Sequence, residues 1–564
     1  MKLRMPKLEV EGAADRQKSL SNDDLLPIPA ERRTWDFWTF TTFWFSAVGT
    51  VANWTSGGTY LAMGMTVWDG LLVNFFGFLL ISFFMVLNGR VGAVYHVGFP
   101  VYCRSSFGVY GALWPAFNRA MSAVVWNGVN VVQGGQAVYI MLHAIFPSVT
   151  RIPNHMPKAS ALDTANMMGM ILFWLALAGI LCISIPKWRI LIYIKLVAYV
   201  ISSCAMLAMA LVHSGGVAKE LREKPTTHGS ERVWLIVRFT LLSAAGCSTF
   251  ASNASDWQRN ARKPNDPIFG QIFGFPMSNV SAAFRHIHSH PQFIVSLFGC
   301  IVARSSEKTY GKVIWNPLTY LDMMLSDTYN AKYRAGAFFI AAGFCYSSLF
   351  SCAFENVLPA GNDIAAILPR YLNMKRAMAI CMILTLAINP WFLLGSASIF
   401  ISFLASYQIF LFAITGVLLT DYYIVLKGRF DLSWMYTADP QGPYWYTLGL
   451  NWRAFVAYLV GLGINFAGFL HNMGAIDVSI GVQRSFYFAF ITSGVGSGLV
   501  YYLLARFFPQ ASYKEYKGLK FKEWTQDEVE VYAAGSDKPG RVPSHQGSDD
   551  VEDKALDSTY VRDV

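Results

Sequence analysis

Three side chains in one apolar stretch have the types and the spacing to bind a flat ring. Trp126, Asn130 and Gln133 follow one another at intervals of four and three residues, which places them on one face of a helix. An indole can stack on a heterocycle while amides one turn away donate to and accept from its polar edge. The alternative is structural, because an indole also fills gaps in a core and amides also bridge neighbouring helices.

A second polar face has the composition of a proton site. Ser347, Ser351 and Glu355 recur at intervals of four in one apolar stretch. Asn356 lies beside the carboxyl group. Ionisable groups at membrane depth are costly and are therefore candidates for function. We predict that Glu355 binds and releases a proton with the two serines, and the alternative is a static hydrogen bond that ties helices together.

Three further residues are candidates for gates. Lys195 lies in an apolar context about two turns from the start of its stretch, and Asp256 follows a polar interruption later in the chain. We predict that these opposite charges pair across the inner mouth; the alternative for Lys195 is a side chain that reaches the membrane surface. Tyr407 lies among bulky apolar residues and is predicted to belong to a flap over the site, with core packing as the alternative.

Two apolar stretches contain small and polar residues that weaken a helix. One is VGTVANWTSGG at residues 48–58, which includes Ser56, and the other runs from Gly246 to Ser255. Unwound backbone in lipid is tolerated only where protein or a watery cavity satisfies it. Paired broken helices are typical of secondary transporters built from inverted repeats, with the substrate at the breaks. We expect Ser56 to line such a site, although small residues in the first stretch also suit close helix packing.

The composition indicates a polytopic membrane protein. Of 564 residues, 54% are hydrophobic and 14% charged, whereas about a quarter of a soluble protein is charged. A span needs roughly 20 apolar residues. Twelve stretches are candidates: 37–62, 68–88, 111–146, 166–185, 188–212, 234–255, 266–303, 333–365, 376–395, 397–424, 453–470 and 484–508.

The predicted fold is therefore all-α, with twelve transmembrane helices and three regions. A cytoplasmic tail covers residues 1–35, the transporter core 36–508, and a largely disordered cytoplasmic tail 509–564. The prolines and the arginine pair before the first span predict an anchor and an inner lid. Within the core, the paired breaks suggest inverted repeats, at 36–212 and 234–424, and the last two candidate spans follow at 453–508.

The net charge of +10 could indicate nucleic acid, but basic loops are the commoner cause in a membrane protein. Their distribution predicts that both termini are cytoplasmic and that no nucleic acid is bound.

The eight cysteines form no CxxC pair, and His286, His288 and His290 alternate in a polar segment at 280–292 that interrupts a span. We predict no metal site, and we interpret the segment as an insertion. A membrane enzyme would need clustered acid–base or metal-binding groups, and a receptor would need a signalling domain.

Several strings resemble one known family. LLPIPAERRTWDFWTFTTFW, the stretch that contains Trp126, SNASDWQRNARKPND and FENVLPAGNDIAAILPRYLN are similar to the fungal uracil, uridine and allantoin permeases of the nucleobase-cation symporter-1 family. The resemblance covers roughly residues 22–525. It implies a leucine-transporter-like five-plus-five inverted repeat with two extra helices, proton-coupled import at the plasma membrane, and a substrate between spans one, three, six and eight.

The resemblance also implies roles for particular residues. Trp126 corresponds to the stacking aromatic residue and Asn356 to the substrate amide, whereas Asn130 stands where the family usually has glutamine. Bacterial relatives have a second stacking tryptophan near Cys247, whose side chain cannot sandwich a ring; Phe250 would replace it if the unwound segment turns that residue inward. Ser347 and Ser351 fall where sodium-coupled relatives bind the cation; we interpret them as remnants or as part of the proton network.

The sequence thus predicts a transporter and not an enzyme. Its substrate is expected to be uracil, a related nucleobase or nucleoside, or allantoin, and its coupling ion a proton rather than sodium, with no other cofactor. Thiamine and nicotinamide riboside are the alternative substrates, and a nutrient receptor that does not transport is the alternative function. The remaining expected partners are the lipid bilayer and, through the tails, the ubiquitin-dependent turnover machinery.

Overall fold

The computed structural model describes residues 20, 22, 24–183, 188–217, 225–280 and 295–529, and the regular elements among them are helices. The histidines of the predicted insertion and most of the carboxyl-terminal tail lie outside these residues. The first half of the chain contains α1 (Phe37–Val48), α2 (Val51–Ala62), α3 (Val67–Tyr95), α4 (Phe99–Phe107), α5 (Leu113–Ile145), α6 (Thr164–Leu181), α7 (Trp188–Ser214), α8 (Gly229–Gly246), α9 (Ser248–Ser252), α10 (Ala254–Gln258), α11 (Asp266–Ile272) and α12 (Gly274–Val280).

The second half contains two π-helices as well as α-helices. Its α-helices are α13 (Val295–Tyr310), α14 (Pro317–Asp327), α15 (Ala331–Phe350), α16 (Leu358–Ile367), α17 (Met374–Ala387), α18 (Ala397–Thr420), α19 (Leu432–Met435), α20 (Trp452–Gly463), α21 (Phe466–Asn472), α22 (Ile480–Tyr487), α23 (Ala489–Phe507) and α24 (Ala511–Tyr516). The π-helices, Ser351–Val357 and Asp421–Val425, continue α15 and α18.

Span one is broken, as predicted, but over fewer residues. Gly49 and Thr50 leave the helical conformation, and Thr50 is extended. The Thr50 hydroxyl then accepts a hydrogen bond from the Asn53 amide at 3.3 Å, so that it caps α2 in the usual manner of threonine. The expectation that the interruption extends through residue 58 is wrong, because this cap restarts the helix at Val51.

Span six is interrupted at two single residues. The first is Cys247, between α8 and α9, and the second is Asn253, between α9 and α10. Both lie in the polar stretch that the sequence marked as weak. The prediction of a broken sixth span is therefore confirmed.

The helices pack in two groups beside the two breaks. In one group α3 packs against α8 and α10, and in the other α5 packs against α6, α15 and α16. Glycines allow these close crossings: a Cβ at Gly92 would lie 2.4 Å from the Ser255 carbonyl oxygen, and one at Gly343 would lie 1.9 Å from Ser202 Oγ. Close packing through small residues is typical of helices in membranes.

Five of the described helical segments are long and apolar enough to cross a membrane, and the number is seven if each of two bent pairs is one span. The bends are 52° between α20 and α21 and 76° between α22 and α23. The predicted count of twelve includes the broken spans, whose separate pieces are short, and it stays a prediction. Residues 304–332, which separate the predicted spans 266–303 and 333–365, contain the end of α13 and all of α14.

Candidate functional site

The backbone carbonyls around the break in span one accept hydrogen bonds from side chains. Ser347 Oγ of α15 donates to the Gly49 carbonyl at 3.0 Å. Lys195 Nζ of α7 donates to the Ser46 carbonyl at 2.7 Å. Carbonyls near a helix end have lost their intrahelical donors and need others when they are buried. Ser347, predicted to belong to the proton site, and Lys195, predicted to be a gate, thus both contact the break in span one.

Lys195 also forms a buried ion pair with Glu355. Its Nζ lies 2.6 Å from Glu355 Oε1, and the two side chains are 2% and 7% exposed. The π-helix that follows α15 carries this carboxylate, and single π-turns are frequent at functional sites. The predicted pairing of Lys195 with Asp256 is wrong in this structure, because α7 directs the ammonium group toward the break in span one and the π-helix.

Asp256 belongs to a separate charged cluster. Its Oδ1 accepts the Phe99 amide at 2.9 Å, and its Oδ2 lies 3.8 Å from Arg119 Nη2. The other arm of Arg119 lies 3.0 Å from Asp363 Oδ2. Arg119 lies six residues into α5 and is 2% exposed. Sequence reasoning missed it because a charge so close to a helix end is usually solvated; the signal available was an arginine inside an apolar span.

Asn356 lies on the same π-helix as Glu355. Its side-chain amide donates to the Ser351 carbonyl at 3.1 Å, and the residue is 8% exposed. The π-helix packs against α5, where Cys352 Sγ lies 4.0 Å from the carbonyl oxygen of Asn127, the residue after Trp126. The structure therefore brings the element that carries the predicted substrate amide against the helix that carries the predicted stacking ring. The Ser351 hydroxyl, a predicted member of the proton network, interacts with the Glu355 carboxylate of the same π-helix.

Trp126 is partly exposed and is flanked on one side by α18. Its ring meets Phe400, Phe403 and Tyr407 edge to face, with centroid distances of 6.4, 5.8 and 6.4 Å. Spacings of three and four place these three rings on one face of α18. The indole is thus packed against three rings of α18 that are tilted steeply to its plane.

The two other amides on the Trp126 face have different neighbours. Asn130 donates to the Trp126 carbonyl at 3.1 Å, and Gln133 donates to Thr55 Oγ1 of α2 at 3.2 Å. The amide oxygen of each is buried without a described partner, so each has unused acceptor capacity. Ser56 Oγ donates to the Ala52 carbonyl at 3.2 Å within its own helix.

Phe250 lies in a different aromatic cluster. Its ring centroid is 5.5 Å from that of Trp44 and 6.2 Å from that of Phe275, both edge to face. The structure describes no ring contact between Phe250 and Trp126, so a sandwich of one substrate between these two rings has no support in this conformation.

Tyr407 lies at the break in span six. Its hydroxyl donates to the carbonyl oxygens of Ala245 at 3.1 Å and Gly246 at 2.7 Å, the last residues of α8. The same oxygen accepts the Trp126 indole N–H at 3.3 Å. The predicted flap residue therefore joins the break to the stacking ring.

Metal binding finds no support among the described residues. No group of three or more histidine, cysteine, aspartate or glutamate side chains in them could hold a metal ion. The three alternating histidines at 286, 288 and 290 fall in the segment that the structure does not describe.

Residues 27–492 match the family of permeases for cytosine/purines, uracil, thiamine and allantoin. The chain belongs to this permease family. Three relatives from Saccharomyces cerevisiae are each 32% identical to it: the allantoin permease (91% of this chain, 79% of the relative), the uridine permease (93% and 80%) and the uracil permease (90% and 79%).

A solved structure shows the same fold as this permease. It is that of Mhp1, a nucleobase-cation-symport-1 family transporter, in a closed conformation with bromovinylhydantoin bound; the TM-score is 0.69 at 17% identity, over 91% of this chain and 100% of that chain. The predicted all-α, leucine-transporter-like fold is confirmed. Family membership also makes the chain a multi-pass membrane transporter and not an enzyme.

The amino-terminal residues of the permease lie across one end of both helix groups. Trp35 pairs with the loop after α10, donating to the Asn260 carbonyl at 3.0 Å. Asn22 donates to the Leu372 carbonyl at 3.0 Å, between α16 and α17, and Asp24 accepts the Met374 amide at 3.0 Å. The predicted anchor is thus present, and its role as an inner lid stays a prediction.

Proposed function

We propose that this permease imports uracil or a related nucleobase, nucleoside or allantoin by alternating access, in symport with a proton. The observation that carries the proposal is the position of Trp126, which is partly exposed and bonded through Tyr407 to the broken sixth span. A flat ring that stacks there meets the buried acceptors of Asn130 and Gln133. Such acceptors favour a ligand whose edge presents N–H donors, as lactam and ureide rings do.

Proton coupling is supported by the ion pair at the other break. The Lys195 ammonium group contacts both the Ser46 carbonyl and the Glu355 carboxylate, and so supplies the positive charge that a sodium ion would supply there. A proton that leaves or joins this pair changes the net charge at the break without any other ion. We therefore propose that Lys195 and Glu355 form the coupling site and that Ser347 holds the backbone beside it.

The test is radiolabelled uptake in cells that lack their own permeases. We expect concentrative uptake of labelled uracil or allantoin that rises with external acidity, and inhibition by unlabelled compounds of the same class. If thiamine or nicotinamide riboside inhibits uptake best, that compound is the substrate instead. If the labelled substrate binds to the cells without accumulating in them, the protein is a receptor and not a transporter.

Glu355→Gln tests the coupling site in the same assay. Glutamine keeps the shape but binds no proton, so uptake by this variant should lose its dependence on external pH. Glu307→Gln is the matched control, because that carboxylate pairs with Arg304 within α13 and lies away from both breaks. An unchanged pH profile in Glu355→Gln, with the control also unchanged, would remove Glu355 from the coupling site.

We further propose that the permease works at the plasma membrane with both termini in the cytoplasm, and that its tails serve ubiquitin-dependent turnover. The distribution of basic residues in the short loops supports the orientation. Tags at the two ends, probed in intact and in permeabilised cells, test it: labelling of either tag in intact cells would contradict it.

A further inference from the structure

The end of α8 is satisfied by one side chain from another helix. The Ala245 and Gly246 carbonyls are the last of α8 before Cys247 leaves the helical conformation, and both accept from the Tyr407 hydroxyl. Buried carbonyls freed by a helix break require a donor. Tyr407 supplies it from α18 and so fixes the position at which span six comes apart.

The same hydroxyl fixes the indole of Trp126. A tyrosine hydroxyl has one proton to donate and lone pairs that accept, whereas an indole N–H can only donate. The indole N–H donates to the Tyr407 oxygen at 3.3 Å, and the hydroxyl proton is directed to the α8 carbonyls. The hydroxyl therefore acts both as a donor, whose one proton the two carbonyls share, and as an acceptor, and all these bonds meet at a single oxygen atom.

Packing of the Tyr407 ring restricts where its hydroxyl oxygen can lie. The ring stacks on Phe403 with a centroid distance of 5.1 Å and an interplanar angle of 28°. Phe403 itself contacts the Trp126 ring at 5.8 Å. A displacement of α8 must consequently either break the bonds at the hydroxyl or turn the indole with them.

We propose that Tyr407 is a positioning residue that couples the break in span six to the angle of the Trp126 indole. The inference rests on the proposed function, because it takes Trp126 as the substrate platform. Movement of the broken span during transport then changes how the indole meets the substrate, through one shared hydroxyl. Substrate binding in turn stabilises one position of the break, since such coupling is reciprocal.

Tyr407→Phe removes only the hydroxyl group and tests this coupling. We expect the KM for uptake to rise about tenfold, the consequence of losing hydrogen bonds at one oxygen, while the surface abundance stays unchanged. Tyr423→Phe is the matched control: it removes a tyrosine hydroxyl from the π-helix that continues α18, where that group donates to the Leu87 carbonyl at 3.0 Å. The control should leave KM unchanged.

A native thiol reports on the break directly. Cys247 is the non-helical residue after α8 and is 7% exposed. In a background without the exposed Cys182 and Cys204 and the partly exposed Cys345, Tyr407→Phe should increase the rate at which a thiol reagent modifies Cys247, and saturating substrate should protect it less well than in the parent. Trp126→Phe, which loses the indole N–H but leaves the α8 carbonyls bonded, should raise KM without the faster modification.

The outcomes separate this proposal from the proposed function. Tyr407→Phe with the parental KM and the parental modification rate would overturn the coupling, even if wild-type uptake is as expected. Faster modification in both Tyr407→Phe and Trp126→Phe would also overturn it, because the break would then depend on the ring rather than on the hydroxyl. Absence of uptake by the wild type would overturn the proposed function instead; in that case the modification rates still test the bond between Tyr407 and the break.

Discussion

The two broken spans are completed by chemically different groups. At the break in span one the partners are the ammonium of Lys195 and the hydroxyl of Ser347, with Glu355 behind the lysine. At the Cys247 interruption of span six the partner is the neutral hydroxyl of Tyr407. The first arrangement therefore uses a charged ammonium group and the second a neutral hydroxyl, while the charged pair of Asp256 and Arg119 lies beside the other interruption of span six, at Asn253.

In the proposed mechanism, this difference assigns proton coupling to the first break and substrate contact to the break at Cys247. The first break, with Lys195 and Glu355, can gain or lose one proton and thus respond to a proton gradient. The other break is held by the Tyr407 hydroxyl, which also binds the Trp126 indole, so it responds to a substrate that stacks on that indole. The two sites are joined through the π-helix, which carries Glu355 and Asn356 next to each other and packs against α5.

Lys195→Met gives the largest expected effect. It leaves the Glu355 carboxylate buried without its cation, and breaking a buried ion pair in this way costs about 3–5 kcal/mol. We expect concentrative uptake to fall by more than 100-fold, measured with the labelled substrate at equal surface abundance.

The double variant Lys195→Met with Glu355→Gln is the control for folding. It removes the unpaired charge and should restore the amount of protein at the surface, but not concentrative uptake. Concentrative, pH-dependent uptake by Lys195→Met alone would show that the charged group at the first break is not needed for coupling, and the contrast between the breaks would fail.

Trp126→Ala acts at the other break and gives the next largest effect. Removal of an aromatic platform costs about 1–3 kcal/mol per stacked base in other ring-binding proteins, so the Kd should rise by about 5- to 150-fold. The dependence of the remaining uptake on external pH should persist, because the groups at the first break are intact. Binding of the labelled substrate to purified protein measures the first quantity and uptake the second.

Trp68→Ala is the control for tryptophan loss, since Trp68 is 65% exposed at the start of α3. It should bind as the wild type does. A Trp126→Ala protein that keeps its affinity but loses its pH response would reverse the assignment of the two breaks.

The sequence predicted the two breaks better than it predicted which charged side chains pair with each other. Residue types alone marked both weak stretches, because small polar residues inside an apolar span are unusual. The family resemblance added Asn356 to the candidates that spacing had found. These inferences depend on composition and on the helical period, both of which can be read along the chain.

The partner of Lys195 could not be read in the same way. The position of Lys195 along α7 suggested a pair with Asp256. In the folded protein, however, the rotation of α7 about its own axis directs the ammonium group to Glu355. The pairing of Arg119 with Asp363 has the same origin, since α5 and α16 meet only in the folded protein. Which charges meet depends on helix packing, and no spacing within one helix specifies it.

Ser347→Ala gives the smallest expected effect and distinguishes a proton site from a sodium site. It removes the hydrogen bond to the Gly49 carbonyl, a contribution of about 1 kcal/mol, so the rate of uptake should fall about fivefold. Ser82→Ala is the control, because this buried serine donates to the Leu79 carbonyl within α3 and contacts no break.

If Lys195 supplies the charge at the first break, the Ser347 hydroxyl only holds the backbone, and the pH dependence of Ser347→Ala should match that of the wild type. If the serine instead binds sodium, wild-type uptake should depend on external sodium, and the variant should need a higher sodium concentration for half-maximal uptake. Measuring uptake against external pH and against external sodium in the same cells therefore decides whether the first break binds a proton or a sodium ion during transport.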